Sequence, residues 1–151
     1  LPIATGMAMA RKRLNISGNI YVMLSDGECQ EGTTWESLLI GAKHCLDNLI
    51  LLVDYNKIQA LTTLEEGLPL SSLSAKFEAF NWDCIEINDG HSYDELSDGF
   101  EKLHPRGRPT AIIVHAIKGK GVKAFENEPK WHARRIKGEE LDLGKKELGI
   151  L

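Results

Sequence analysis

Two short apolar runs, residues 20–24 and 49–53, are continuous and rich in leucine and β-branched side chains, the reading of strands buried on both faces in a parallel sheet. Between them Thr33 and Glu36 have the spacing of a capping box. Trp35, Leu38, Leu39, Ala42 and Leu46 recur at helical intervals, so one stripe of a crossover helix is expected to pack on the sheet. The three elements make a βαβ unit, whose right-handed crossover sets the strands parallel and brings Asp26 and Asn56 to the same sheet edge.

The same periodicities organise the rest. Ile3, Met7, Ala10 and Leu14 predict an opening helix that stops at the turn 15–19. Residues 59–70 are irregular, broken by Gly67 and Pro69, and 71–80 has the spacing of a short helix. Residues 82–87 alternate like a strand; Ser92 or Asp94 then caps a helix with Leu96, Phe100 and Leu103 as its stripe. After the turn 105–109, residues 110–117 form a further buried strand that ends at Lys118, Gly119, Lys120 and Gly121. The tail 137–151 alternates charge and leucine, as a short amphipathic helix or a mobile segment does. The expected fold is α/β, a mostly parallel sheet with helices on both faces, in a single domain over residues 1–151.

Composition narrows the classes. With 42% apolar and 26% charged residues, the 151-residue chain is of globular composition and long enough to bury a core. The net charge is −4 and the basic residues are scattered, which argues against a nucleic-acid partner. No apolar run approaches the ~18 residues of a membrane span, and residues 1–10 lack the basic start and cleavage site of a secretory leader. Cys29, Cys45 and Cys84 are odd in number and unpaired in spacing, which suggests reduced thiols in the cytoplasm.

Chemistry concentrates after the strands. Asp26, Gly27, Asn56 and Ile58 offer a carboxylate, an amide oxygen and exposed backbone at the edge where open α/β sheets bind ligands. Oxygen donors of this kind suit a hard cation such as magnesium, which rarely takes all its ligands from protein and so leaves positions for phosphate oxygens. An isolated Asp-Gly is also ordinary turn chemistry, and Asn56 alone reads as a loop residue. Lys118, following a strand and beside glycines, is placed for a phosphate contact or for a solvated turn. His132, after Trp131, can donate to a phosphate or hydroxyl oxygen, or sit on the surface. Glu28, Glu31 and Glu36 read as a solvated acidic face, with Glu31 a candidate for facing a partner; Cys29 reads as a small loop residue and His91 as turn structure.

Taken together, Asp26, Gly27, Glu28, Glu31, Gly32, Trp35 and Glu36, then residues 46–50, Val53, Asp54, Asn56, Ile58 and Gln59, resemble the thiamine-diphosphate motif, most closely that of transketolase. Residues 77–82, 89–91, 109–113, 118–121 and 131–132 agree with the same family, and Ser25 departs from it where glycine is usual. The resemblance implies a thiamine-diphosphate-binding fold. It implies Asp26, Asn56 and Ile58 as ligands of magnesium (calcium or manganese in its place), and Asp26, Gly27, Asn56, Ile58, Lys118 and His132 around the cofactor. His132 would lie nearest the reacting carbon. It further implies transfer of a two-carbon ketol unit from a ketose phosphate to an aldose, with the site completed by a pyrimidine-binding domain or C-terminal subunit in a homodimer or heterotetramer. Family features expected upstream of Leu1 are missing, so the chain reads as truncated and inactive alone. Deoxyxylulose-phosphate synthase or a ketoacid dehydrogenase subunit is the alternative within the superfamily. The rivals outside it are a flavodoxin-like module and a non-catalytic assembly subunit.

Overall fold

A computed structural model describes residues 1–150. Its strands are β1 (Ile20–Ser25), β2 (Leu49–Tyr55), β3 (Asp83–Ile87) and β4 (Thr110–His115); its helices are α1 (Pro2–Arg13), α2 (Gly32–Lys43), α3 (Leu73–Ala79), α4 (Tyr93–Glu101) and α5 (Glu139–Glu147). The chain divides into two compact units, Leu1–Tyr55 with Leu70–Ala116 and Asn56–Pro69 with Ile117–Leu151.

The first unit holds the whole sheet, in the order β1-β2-β4-β3, with every pair parallel. The fold class is therefore α/β, as the uninterrupted apolar runs predict. Register sorts the side chains by face. Ile50, Ile112, Val114 and Ile87 form a buried cluster on one face, closed by Leu96 of α4 and by Leu103. Leu49, Leu51, Val53, Ala111 and Ile113 alternate with them and are equally buried, and α1 lies against β1, β2 and α2. Trp82, fully buried, donates from its indole to the Leu38 carbonyl of α2 at 3.0 Å. Gly90 is required at the end of β3, because a Cβ there would stand 2.4 Å from Val114 Cγ1.

Three expectations are corrected. β1 is not buried on both faces: it is an edge strand, and Met23 is 67% exposed on the side α4 leaves open. Phe100 of α4 reaches this side only as far as Tyr21, with ring centroids 6.4 Å apart. The capping box does not form, since Thr33 lies inside α2, whose N-cap position is Glu31 without a side-chain bond. Thr34 Oγ1 instead donates to the Glu28 carbonyl at 2.8 Å, and Leu39 is exposed while Thr34, Ser37, Leu38 and Gly41 form the buried face. In α1 the large residues Ile3 and Met7, with Leu14 just past its end, are exposed and the small Ala4, Thr5 and Ala8 are buried. Close approach of a helix to its neighbours selects small side chains, and a pattern of large apolar positions cannot register that.

The second unit is mostly turns, with α5 at residues 139–147. Val122 and Phe125 pack around Gly144 of α5, and the Lys123 amide donates to the Glu147 carboxylate at 2.5 Å. The tail predicted over 137–151 includes this helix; Leu151 lies outside the described residues.

Candidate functional site

Asp26 leaves β1 at the carboxyl edge of the sheet. Ser25 is in register with Asp54, and the Asp26 amide donates to the Asp54 carbonyl at 3.2 Å. The residue is only 2% exposed, a burial that a carboxylate tolerates only with compensating partners. The following 3₁₀ turn, Gly27–Gln30, is fastened at several points. The Cys29 amide donates to the Asp26 carbonyl at 3.0 Å and the Trp35 indole to the Cys29 carbonyl at 2.9 Å. Ser25 and Glu28 close the loop reciprocally: the Ser25 amide donates to Glu28 Oε2 at 2.8 Å, and the Glu28 amide to Ser25 Oγ at 3.3 Å. Gly27 is half-buried inside this turn.

The Ser25–Glu28 pair escaped the sequence reading. A serine three residues before a glutamate was the available signal, the same reciprocal logic as a helix capping box. It gives Glu28 a structural task within the acidic run, while Glu31 and Glu36 are exposed. Cys29 is fully buried, and its thiol is pushed up to about 12, first by burial and then by the Asp26 and Glu28 charges. It is a packing residue, as its small size suggests.

In the second unit, Asn56 and Ile58 belong to one turn. The Ile58 amide donates to Asn56 Oδ1 at 3.0 Å across Lys57, whose φ is +65°. Both flanking residues are buried, and Ile58 bridges to Thr63. Lys118 is half-buried, and its carbonyl accepts from the Asn127 amide at 2.9 Å. Gly119 has φ +78°, and a Cβ there would meet the Phe125 carbonyl oxygen at 2.5 Å. The glycine is thus required by the chain's own backbone.

His132 is exposed after the 3₁₀ turn Pro129–Trp131, and its amide donates to the Pro129 carbonyl at 2.9 Å. Its neighbour Trp131 packs on Phe125 at 4.5 Å between ring centroids, with the Arg134 guanidinium 5.0 Å from its ring. Among the described residues, neither the Lys118 ammonium nor the His132 imidazole makes a hydrogen bond or ion pair. His91 lies in an Asx turn, its amide donating to Asp89 Oδ1 at 2.9 Å, and His44 caps the end of α2.

No group of three or more His, Cys, Asp and Glu among the described residues is arranged to hold a metal. No described helix is long and apolar enough to cross a membrane.

Over residues 4–151 the sequence matches the family of the transketolase thiamine diphosphate binding domain. It is 37% identical over 148 residues to one subunit of the apulose-4-phosphate transketolase of Actinobacillus succinogenes, covering 98% of this chain and 53% of that protein. It is 34% identical over 137 residues to human transketolase, covering 90% of this chain and 22% of that protein. The crystal structure of Campylobacter jejuni transketolase superposes with a TM-score of 0.87 at 29% identity, over 97% of this chain and 24% of that one. The chain thus spans about half the length of the Actinobacillus relative. With the parallel sheet, the buried aspartate at its carboxyl edge and these matches in hand, the chain belongs to the transketolase family, within its thiamine-diphosphate-binding domain.

Proposed function

We propose that this chain is the diphosphate-binding half of a magnesium-dependent transketolase, one domain over residues 1–151, which moves a two-carbon ketol unit from a ketose phosphate to an aldose once a pyrimidine-binding partner completes the site. The observation that carries this reading is Asp26: a carboxylate almost wholly removed from water, held at a strand end by a fastened loop, inside a family match covering residues 4–151. A carboxylate fixed at a strand end in this way is a suitable ligand for a divalent cation. Asp26, Asn56 and the Ile58 carbonyl would supply oxygens to magnesium, or to calcium or manganese in its place. Gly27 would let backbone approach the diphosphate, and Lys118 would add a cation for its oxygens.

Thiamine diphosphate, when bound, supplies the carbanion chemistry. This chain's residues anchor and orient: Asp26 fixes the ion, and His132 donates a hydrogen bond to the substrate near the reacting carbon. Two relatives are named as single subunits of a transketolase, which supports a separate partner chain in a dimer or heterotetramer. Three free cysteines agree with a cytoplasmic setting. Calorimetry on the protein with its partner tests the reading: Asp26→Ala should abolish magnesium-dependent thiamine diphosphate binding while the fold persists. Undiminished affinity in a folded variant would remove the assignment.

A further inference from the structure

At the amino-terminal edge of the sheet, opposite the edge from which Asp26 leaves, the first unit holds a crevice of about 390 Å³. It opens where β3 and β4 begin, a point at which Asp83 and Thr110 are in register. One wall is the connection from α4 to β4, which contributes Lys102, His104, Arg106 and Arg108. These alternate with Leu103, Pro105, Gly107 and Pro109. The segment is irregular rather than a strand, turning at Gly107 (φ +72°), and the two prolines keep it from continuing α4; all four basic side chains nevertheless line the one crevice.

Their charges are largely uncompensated. Arg108 reaches Asp83 only at 3.9 Å, the long limit of an ion pair. Lys102, His104 and Arg106 make no side-chain hydrogen bond or ion pair among the described residues. A chain of net charge −4 therefore gathers three permanent cations and an imidazole around one cavity. Mutual repulsion among such groups is relieved by an oxyanion, and the planar donor fork of arginine matches phosphate oxygens two at a time. The carboxylates of Glu78 and Asp83 on the same rim oppose a bare polyanion but accept hydrogen bonds from hydroxyl groups. The volume falls in the range of small-molecule sites.

We propose that this crevice binds a small hydroxylated phosphate ester, with Lys102, Arg106 and Arg108 holding the phosphate oxygens and Glu78 and Asp83 accepting from its hydroxyls. It lies at the opposite end of the strands from Asp26, and does not depend on the cofactor reading.

Titration of the 151-residue chain, followed by amide chemical shifts, tests the assignment. The probes are glycerol 3-phosphate, inorganic phosphate and sodium chloride at matched ionic strength. Both phosphates should give saturable shifts confined to residues 83–85 and 102–110, and chloride none. Tighter binding of the ester identifies the esterified source, and equal binding identifies free phosphate as a sufficient ligand. The Lys102→Ala/Arg106→Ala pair, at exposed positions, should weaken binding by at least about tenfold. Shifts that stay linear, that chloride reproduces, or that persist undiminished in the double variant overturn the proposal. If the double variant does not fold, Arg106→Gln alone is read by the same criteria.

Discussion

Cys29 and Cys84 show how a residue's surroundings set its chemistry. Burial is the first cause in both, and it pushes each thiol up from 9.0 to about 12, with neighbouring carboxylates adding to the effect. The protonated form is thus favoured in the folded state. The contribution to stability is fully present below pH 9 and is lost as pH rises from about 9 to about 12. Ultraviolet titration at the thiolate band should show both thiols silent in the native chain at pH 10 and ionised at that pH in denaturant. Replacing both by alanine should flatten this part of the alkaline stability profile. His132 poses the opposite case, an exposed imidazole without a protein partner. In the assembled enzyme, His132→Ala should lower turnover by about 10- to 1,000-fold while cofactor affinity falls less. A change within about twofold in both would return it to the ordinary surface.

Among the elements, α4 was legible in its start signal and in Leu96 and Leu103, which pack on the core, although Phe100 of the expected stripe is exposed. Ser92 occupies the N-cap and its hydroxyl accepts from the Glu95 amide at 3.3 Å. Ser92→Ala should cost about 1 kcal/mol in denaturant unfolding, with the slope unchanged. The four strands were also readable, three as continuous apolar runs between breakers and β3 by its alternation, patterns that leave few alternatives. What escaped were the relations between elements. Whether β1 is central or at an edge depends on the strand order, which no local run of residues encodes, and so Tyr21 and Met23 were assigned to a buried face that is open. The α1 stripe misled because contact there is made by Ala4, Thr5 and Ala8. At the site, Asp26 and Asn56 were visible as polar residues directly after apolar runs, whereas the Ser25–Glu28 closure depends on a turn geometry that sequence spacing only hints at. The reason for Gly119, the Phe125 carbonyl packed against it, lies in a contact that the sequence does not display.

For the whole molecule, the proposed reading divides labour: this chain binds and orients the diphosphate end, and another domain must activate the cofactor's pyrimidine. The 151-residue chain by itself should therefore show no ketol transfer above background, and turnover should appear when a pyrimidine-binding partner is added; robust activity from the chain alone would refute the division. The strand order has a consequence of another kind. β4 is synthesised after the other three strands, yet it lies between β2 and β3 and among the described residues is the sole neighbour of β3. Until residue 115 has emerged from the ribosome, β2 therefore presents one unpaired edge, and β3 has no sheet to join. Ile50, Leu51 and Val53 await their cover for that interval, and parallel pairing over so long a separation is slow. A break introduced between residues 88 and 109, whether by protease or by splitting the gene, would part β3 from the strand that holds it in place.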